Sequence, residues 1–326
     1  MHKAKNVSKK TFIICISIIV VVILGLIVTM VIQGNSNDSG NYGYSAADVV
    51  YFNGGEYVPK GNIQTVLIAG VDRTGEVTEQ EYNNAGQCDF LMLVVLDRNN
   101  QTYRVLHINR DTMTNVPTLG ITGEKTDTIY AQIALAHAYG DGLKSSCQNT
   151  SDAVSEYLYG IKINDYMVVN IDAIGIINDS LGGVEVTLNE DFTEFDSEMT
   201  KGRTMKLNGN QAIIYTRYRY GVGDSTNINR MDRQKNYLNG LFNSSKAAMD
   251  ADNETAVKLF DSIEKYMVTS MNKSQFGGLA NKLYSYKNEG YMSIEGEAKL
   301  GEEFMEFYPD ETDLKAKVID LFYKEK

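Results

Sequence analysis

The stretch Phe90-Leu91-Met92-Leu93-Val94-Val95-Leu96 is followed by Asp97-Arg98-Asn99-Asn100 and then by Tyr103-Arg104-Val105-Leu106-His107-Ile108. The two apolar runs are typical of buried strands, and the polar residues between them are typical of a hairpin turn. A third apolar run, Val66-Leu67-Ile68-Ala69, precedes the pair along the chain. These three segments predict the centre of a β-sheet.

Segments with helical periodicity alternate with further strand-like runs. The pattern predicts strands over Tyr166–Ile171 and Val184–Leu188, and it predicts helices over Ala131–Tyr139, Thr150–Tyr159, Ala173–Ser180, Arg230–Met249, Ala256–Tyr266 and Asp313–Tyr323. Strands interleaved with helices are typical of an α/β fold. We therefore expect a mixed central β-sheet flanked by helices.

The N-terminal region predicts a membrane anchor. Phe12 to Ile32 form an uncharged, mostly aliphatic run, and as a helix it would be roughly 32 Å long, which is enough to cross a bilayer. Lysines precede this run, so the positive-inside rule places residues 1–10 in the cytoplasm, the anchor at 11–33 and the rest of the chain outside. A cleaved signal peptide is the alternative, although the run is longer than usual for one and no small-residue cleavage site follows it.

The segment 34–62 separates this anchor from the predicted extracellular domain, 63–326. It is rich in Gly, Ser, Asn and Asp, and this composition is typical of a flexible linker. The short run Val49-Val50-Tyr51-Phe52 near its end could add an edge strand. Cys88 and Cys147 both fall in the external part, where a disulfide between them is permitted but not required by the sequence.

The charge distribution bears directly on function. The chain carries 42 acidic against 31 basic residues, a net charge of −11, which argues against general attraction to nucleic acid or to anionic lipid. Nevertheless, four of the nine arginines lie between positions 217 and 233, namely Arg217, Arg219, Arg230 and Arg233. Permanently charged guanidinium groups gathered in an acidic protein favour a locally bound polyanion such as phosphate.

Acidic residues stand at the ends of the predicted central strands. Asp72 follows the first strand, Asp89 directly precedes the second, and Arg110-Asp111 follow the third. Ligands of open α/β sheets collect at strand ends, and a pair of carboxylates suits Mg²⁺, which completes its coordination with water and phosphate oxygens. The alternative is that these aspartates only cap turns.

The arginine-rich segment 217–233 could supply the anion-binding part of the same site. If Tyr215–Arg219 is extended, Arg217 and Arg219 point to the same side. If the following segment is helical, Arg230, Arg233 and Gln234 share one face near the helix N-terminus, whose dipole favours anions. Ordinary surface salt bridges with the many acidic residues are the alternative.

At these positions the sequence resembles the LytR-CpsA-Psr family of bacterial envelope proteins, from about Gln64 to Lys326. Eight blocks carry the resemblance in the family's order: Leu67-Ile68-Ala69-Gly70-Val71-Asp72-Arg73, Asp89-Phe90-Leu91-Met92-Leu93-Val94, Arg110-Asp111-Thr112, Ala136-His137-Ala138-Tyr139-Gly140, Leu181-Gly182-Gly183-Val184-Glu185-Val186, Leu207-Asn208-Gly209-Asn210-Gln211-Ala212, Tyr215-Thr216-Arg217-Tyr218-Arg219 and Arg230-Met231-Asp232-Arg233-Gln234. The succession of blocks makes the resemblance specific, whereas each block alone would be weak.

The resemblance implies a phosphotransferase that moves a glycopolymer, such as teichoic acid or capsule, from a polyprenyl pyrophosphate carrier to peptidoglycan. It also implies an apolar pocket for the carrier lipid and Mg²⁺, or Mn²⁺ in its place, held by Asp72 and Asp89. The pyrophosphate would be held by seven side chains: Arg73, Arg110, Arg217, Arg219, Arg230, Arg233 and Gln234. The residues expected to act in catalysis are Arg110, Asp111, Arg217 and Arg219.

Three positions depart from the family pattern. Gln87 stands where the family usually has an arginine, Gln132 where it has a lysine, and Asn227 where it has an aspartate, with Asp224 nearby. These differences leave open a second hypothesis, a noncatalytic binder of lipid-linked pyrophosphate glycans. A third hypothesis is an envelope regulatory protein, but the acidic external domain lacks a basic DNA-binding unit.

Overall fold

The structure, a computed structural model, describes residues 49–120, 122–219, 221–223, 227–252 and 254–326. Within these residues the strands are β1 (Val50–Phe52), β2 (Gly55–Pro59), β3 (Ile63–Val71), β4 (Cys88–Asp97), β5 (Thr102–Ile108), β6 (Met113–Leu119), β7 (Lys125–Gln132), β8 (Asp165–Asn170), β9 (Val184–Thr187), β10 (Thr204–Leu207), β11 (Met267–Thr269), β12 (Lys287–Ser293), β13 (Gly296–Leu300), β14 (Met305–Pro309) and β15 (Tyr323–Glu325). The helices are α1 (Lys144–Tyr157), α2 (Ile171–Ser180), α3 (Gly209–Arg217), α4 (Asn227–Ala251), α5 (Thr255–Ile263), α6 (Lys273–Ser285) and α7 (Glu311–Phe322).

Six strands form the central sheet in the order β11-β8-β3-β4-β5-β12. The pairs β3–β8 and β5–β12 are parallel, and β3–β4, β4–β5 and β8–β11 are antiparallel. The predicted hairpin joins β4 to β5, and the Asp97 carboxylate stabilises its turn by accepting hydrogen bonds from the backbone N–H groups of Asn99 and Asn100, both at 3.0 Å. The predicted mixed central sheet is thus confirmed.

Alternate residues of the central strands supply two separate hydrophobic cores. Val66 and Ile68 of β3 face helices α2 to α6, whereas Leu67 and Ala69 face α1 and α7. This two-sided burial explains why the central strands read as continuous apolar runs. The fold is therefore a three-layer sandwich, with helices on both faces of the sheet.

Several predicted elements have different bounds or types in the structure. The expected helix over Ala131–Tyr139 is the end of β7 followed by a short 3₁₀ helix, Ile133–Ala136. The backbone N–H groups of Ile133 and Ala134 donate to the carbonyls of Thr112 and Arg110, at 2.8 and 3.2 Å. These long-range hydrogen bonds, invisible in a local pattern, replace the bonds of a regular helix.

The segment 34–62 is described from residue 49 onward, and part of it is folded. Strands β1 and β2 pair with each other, and β2 also pairs with the C-terminal strand β15. An Asn53-Gly54 turn joins β1 to β2, with positive φ at both residues, as tight hairpin turns require. The predicted anchor, Phe12–Ile32, lies outside the described residues, and none of the helices in the described part is long and apolar enough to span a bilayer.

Candidate active site

The predicted site residues meet at one end of the central sheet. The carboxyl ends of β3 and β5 and the amino end of β4 lie side by side there, bringing Asp72, Asp89 and Arg110 together. This agrees with the rule that ligand sites of α/β sheets form at strand ends.

Arg110 is the centre of a buried network. Its guanidinium forms an ion pair with Asp89, donates through Nε to Asp111 Oδ1 at 3.1 Å and donates through a terminal nitrogen to Gln87 Oε1 at 2.8 Å. Arg110, Asp89 and Asp111 are each less than a tenth exposed. Charges removed from water in this way are stable only when paired, so the network fixes the direction of the arginine.

Arg217 approaches the same point from a different element. The sequence Asn208–Gln211 forms a capping box in which Asn208 accepts from the Gln211 backbone and Gln211 accepts from the Asn208 backbone, so α3 begins at Gly209. The helix ends at Arg217, whose guanidinium donates to Asp72 Oδ1 at 3.2 Å. The conditional expectation that Tyr215–Arg219 is extended is therefore wrong, because the capped helix continues through Arg217.

Asp72 shows how strongly these charges interact. Burial raises the pKa of Asp72 to about 6; the Arg217 guanidinium opposes this rise, and the Asp89 carboxylate adds to it. Arg110 and Arg230 also lower the pKa of Asp72. Two carboxylates and three arginines thus share one electrostatic environment.

The first turn of α4 supplies Arg230, which is almost completely buried. Its Nε and a terminal nitrogen both donate to Asn227 Oδ1, at 3.1 and 2.5 Å, and the Asn227 amide donates to Asn109 Oδ1 at 2.9 Å. Arg230 and Arg219 both lower the pKa of Asp111, although burial raises it overall. Arg219 is itself buried, and its effect on the pKa of Asp111 places it in the same cluster.

Three of the predicted ligand-binding residues have different surroundings. Arg233 donates to the backbone carbonyls of Tyr215 and Tyr218, at 3.4 and 2.6 Å, and its guanidinium lies 5.2 Å from the ring centroid of Phe192. Gln234 donates to the Thr216 carbonyl at 3.3 Å. These contacts tie the end of α3 to α4.

Arg73, the third of these residues, lies on a different wall of the site. It contacts Asn84 Oδ1 at 3.4 Å and lines a cavity beside β3 and β8.

The three positions that depart from the family pattern all touch the cluster directly. Gln87 accepts from Arg110, Asn227 accepts from Arg230, and Gln132 donates to Asp111 Oδ1 at 3.2 Å. Gln132 also donates to the Met305 carbonyl at 2.6 Å, which links the cluster to β14. Neutral amides therefore occupy these positions while keeping hydrogen bonds to the charged residues.

Asn109 is a site residue that the sequence reasoning missed. Its Oδ1 accepts from the Asp111 backbone N–H at 3.0 Å as well as from Asn227. Its position at the end of β5, directly before Arg110, was the available signal, since polar residues at strand ends commonly line a site.

A cavity of about 280 Å³ lies near the cluster, beside the first turns of α4. Its walls combine apolar and aromatic side chains with charged and polar ones: Met92, Met231, Leu238, Tyr291 and Met292 on one hand, and Asp232, Lys235, Ser293 and Lys317 on the other. His107 also lines it; burial and, to a smaller extent, the Arg230 charge lower the pKa of His107 to about 3. Met231 directly follows Arg230 in α4, so this cavity lies next to the charged cluster.

The two predicted metal residues satisfy the requirements of a hard divalent cation in part. Asp72 and Asp89 are close enough for the charge of Asp89 to raise the pKa of Asp72, and a cation between such carboxylates would relieve their repulsion. Within the described ranges no group of three or more His, Cys, Asp or Glu side chains could hold a metal. A two-carboxylate set nonetheless fits Mg²⁺, which takes its other ligands from water and phosphate.

Cys88 and Cys147 are free and buried in the structure. Burial raises the pKa of both thiols well above the ordinary value, which makes them unreactive as nucleophiles.

Comparison with known proteins assigns the family. Residues 32–316 match the LytR_cpsA_psr family, and the chain belongs to this family. It is 28% identical over 257 residues to the polyisoprenyl-teichoic acid–peptidoglycan teichoic acid transferase TagU of Bacillus cereus, which covers 78% of this chain and 77% of the relative.

Solved structures show the same fold. B. subtilis TagV superposes with a TM-score of 0.61 at 25% identity, covering 79% of this chain and 95% of TagV. B. subtilis TagT superposes with a TM-score of 0.59 at 22% identity, covering 81% of this chain and 91% of TagT. The family resemblance in the sequence is thereby confirmed.

Proposed function

We propose that this chain is a membrane-anchored phosphotransferase that moves a glycopolymer from a polyprenyl pyrophosphate carrier to peptidoglycan. The observation that carries the proposal is the convergence of Arg110, Arg217 and Arg230 on Asp72 and Asp89 at one end of the sheet, in a chain whose net charge is −11. The similarity to TagU, named as a transferase of teichoic acid to peptidoglycan, supports the same substrate class.

The proposed reaction exchanges one phosphorus–oxygen bond for another. A hydroxyl oxygen of peptidoglycan bonds to the phosphorus that carries the glycopolymer, the bond from that phosphorus to the lipid phosphate breaks, and the hydroxyl proton is released to solvent. Such reactions depend mainly on positioning and charge neutralisation. A protein nucleophile is unnecessary, which fits a site made of arginines and carboxylates.

The arginines would divide between two parts of the substrate. Arg217, at the end of α3, is the most exposed of the cluster arginines, with 29% of its side chain accessible, and we assign it to the pyrophosphate oxygens together with Arg219 and Arg230. Arg110 is held by Asp89 and Asp111, and we assign it to the leaving lipid phosphate. Arg233 and Gln234 would act indirectly, by positioning α3 against α4.

Mg²⁺, or Mn²⁺, would be held by Asp72 and Asp89 and would neutralise charge on the phosphate oxygens. The carboxylates must be ionised to bind it. In this proposal Arg110 holds Asp89 in place, and Arg217 holds Asp72 until the pyrophosphate replaces that carboxylate as its partner.

The cavity beside α4 supports the lipid part of the substrate. It offers methionine and leucine side chains beside the charged Asp232, Lys235 and Lys317, and a polyprenyl chain would bury apolar surface against the apolar part of the wall at a gain of about 25 cal/mol per Å². We propose that the first isoprene units of the carrier enter this cavity. The predicted anchor at 11–33 would keep the domain at the outer surface of the cell membrane, where such lipids are displayed.

A noncatalytic binder is the second candidate. It is favoured by the neutral amides of Gln87, Gln132 and Asn227, which contact Arg110, Asp111 and Arg230 where the family pattern has charged residues. Such a protein would hold the lipid-linked pyrophosphate without turnover.

The decisive experiment incubates the purified full-length protein in detergent with a polyprenyl pyrophosphate-linked teichoic acid, peptidoglycan and Mg²⁺. We expect release of polyprenyl phosphate and covalent polymer on the peptidoglycan. Omission of Mg²⁺ with a chelator present should stop the release. Tight binding of the lipid substrate with no release would instead establish the second candidate, and neither binding nor release would refute both.

A further inference from the structure

Two hairpins beside the charged cluster expose large apolar side chains. In the part of the chain that the structure describes, eight large hydrophobic side chains are exposed, and five of them lie on the β6–β7 hairpin (113–132) and the β13–β14 hairpin (296–309): Ile129, Tyr130, Leu300, Phe304 and Met305. Leu300 is 76% exposed, and Tyr130 and Phe304 are each 60% exposed. Exposed apolar side chains gathered in one region commonly mark an interaction site.

The two hairpins contact each other. Gln132 of β7 donates to the Met305 carbonyl at 2.6 Å, and Tyr130, two residues earlier, lies on the same face of β7 as Gln132. The hydrogen bond from Tyr308 to Glu306 is the main reason that the pKa of Tyr308 is raised, and Tyr130 is close enough to add to the rise. We refer to five side chains together as the hairpin surface: Tyr130, Leu300, Phe304, Met305 and Tyr308.

The hairpin surface is fixed directly to the charged cluster. The Phe307 backbone N–H donates to the Asp111 carbonyl at 2.8 Å, and Gln132, which contacts Met305, also donates to Asp111 Oδ1 at 3.2 Å. Asp111 is in turn an ion-pair partner of Arg110. A molecule that lies on the hairpin surface would therefore adjoin the residues to which we assign transfer.

The charge of the β13–β14 hairpin limits what can bind there. The segment 296–310 contains five acidic residues and one lysine: Glu297, Lys299, Glu302, Glu303, Glu306 and Asp310. This negative charge repels anionic lipid headgroups, and it equally repels a phosphate-rich polymer such as the teichoic acid of the donor. It also opposes a symmetric dimer through this surface, because two acidic hairpins would be brought together.

A neutral glycan has the chemistry that this surface accepts. The rings of Tyr130, Phe304 and Tyr308 offer flat apolar faces, on which the C–H faces of sugar rings can pack. Carboxylates such as Glu302 and Glu303 accept hydrogen bonds from sugar hydroxyl and amide groups. A polysaccharide of N-acetylated sugars has C–H faces and hydrogen-bond donors without phosphate, so it matches both the rings and the acids.

We infer that the hairpin surface binds the glycan backbone of the acceptor, an N-acetylated polysaccharide, and holds its hydroxyl groups beside the charged cluster. The identification of this polysaccharide as peptidoglycan rests on the proposed function. Of the two glycans in the proposed reaction, the donor carries phosphate and is assigned to the arginines. The acidic, aromatic surface is therefore assigned to the acceptor.

The first test measures binding without turnover. The full-length protein in detergent would be sedimented with insoluble peptidoglycan from which teichoic acid has been removed. For the double variant Tyr130→Ala with Phe304→Ala we expect the apparent Kd to rise about three- to tenfold, because two rings lose their apolar contact with the sugars. Tyr51→Ala is the matched control, since Tyr51 is a similarly exposed tyrosine on β1, and it should leave the Kd unchanged.

The transfer reaction separates this inference from the proposed function. In the double variant the KM for peptidoglycan should rise by the same factor as the Kd, with kcat and the KM for the lipid-linked donor unchanged. If the natural protein carries out no transfer, the proposed function fails, but a raised Kd would still establish the glycan-binding surface. Normal transfer together with an unchanged Kd and KM in the double variant would refute the hairpin surface alone.

A fluorescent probe tests a membrane as the alternative partner. The chain contains no tryptophan, so Phe304→Trp introduces a single fluorophore into the β13–β14 hairpin. The full-length variant would be reconstituted in liposomes that contain phospholipids with brominated acyl chains, which quench tryptophan on contact. We expect no quenching by these lipids, and a change of emission when soluble peptidoglycan fragments released by a muramidase are added.

Two results of the fluorescence measurement would overturn the inference. Quenching by the brominated lipids would assign the hairpin surface to the membrane. No response to either lipids or fragments would mean that the surface faces only solvent. Because Phe304→Trp keeps an aromatic ring at an exposed position, this measurement also decides the question if the double variant fails to fold.

Discussion

Arg217 and Arg233 are sixteen residues apart and look equivalent in the sequence, but they occupy different environments. Arg217 contacts the Asp72 carboxylate and keeps 29% of its side chain accessible, whereas Arg233 is 1% exposed and donates to two backbone carbonyls. A guanidinium facing a carboxylate at an accessible edge can exchange that partner for phosphate. A guanidinium that donates to buried carbonyls, as Arg233 does, stabilises the packing of α3 against α4. Two arginines that are close in sequence therefore need not belong to the same binding site.

Arg217→Ala gives the largest expected effect on activity. Removing one positioned donor from a transition state typically lowers the rate by about 100- to 1,000-fold, and we expect a loss of that size in kcat/KM for transfer. The measurement is release of polyprenyl phosphate by the full-length protein, with thermal unfolding to show that the fold is intact. Arg203→Ala is the matched control, because Arg203 is an exposed arginine outside the cluster and should leave the rate unchanged. Near-normal transfer by Arg217→Ala would remove it from the proposed site.

Arg233→Met should act on stability instead. The change leaves the carbonyls of Tyr215 and Tyr218 without these two donors, at a cost of about 2–4 kcal/mol in the free energy of unfolding. Denaturant unfolding would measure the loss, and transfer per folded molecule at low temperature should fall less than tenfold. Arg233→Lys should recover little stability, because an ammonium cannot reproduce the planar fork. If Arg233→Met kept full stability but lost transfer, the division between the two arginines would be wrong.

Substitutions of Asn227 test whether a neutral amide beside Arg230 is sufficient for transfer. Asn227→Ala removes the acceptor for two guanidinium nitrogens and the donor to Asn109, and we expect transfer to fall about tenfold, because a loss of about 1.4 kcal/mol changes a rate by that factor. Asn227→Asp keeps the acceptor, loses the donor to Asn109 and adds a negative charge beside Arg230; if the charge has no effect of its own, its rate should lie between those of the natural protein and Asn227→Ala. A rate for Asn227→Asp below that of Asn227→Ala would show that the charge itself is harmful here.

The smallest expected effect is on pH-dependent stability at His137. Its folded pKa of about 4 is below the unfolded value of about 6.5, so the unfolded chain binds more protons between these values and stability falls as pH falls from 6.5 to 4. His137→Asn removes this contribution. Between pH 7 and pH 5 the variant should lose about 1–2 kcal/mol less stability than the natural protein, as measured by denaturant unfolding at both pH values. Titration of Asp72 acts in both proteins and cancels in the comparison, and equal losses would mean that His137 is not buried as a neutral group.

Some of the site could be predicted from sequence because its residues stand at element boundaries. Asp72, Asp89 and Arg110 are placed by the apolar strands beside them, so the pattern predicts both the strands and the edge at which they meet. The structural role of Arg233 and the conformation of the segment from Ala131 to Tyr139 could not be predicted in the same way. Their partners are backbone groups of α3 and of the loop after β5, and no local pattern encodes which carbonyl a guanidinium or an N–H will find.

The sequence by itself determined the mixed sheet, the hairpin at its centre and the family to which the chain belongs. These follow from continuous apolar runs, turn chemistry and short motifs, which act over a few residues. Only the tertiary structure decided that Arg217 faces Asp72 while Arg233 faces the backbone, and that His137 is buried against the Gly86 carbonyl. These side-chain environments depend on desolvation and on contacts between segments that are tens to more than a hundred residues apart. Such contacts form only when the sheet brings its strand ends together.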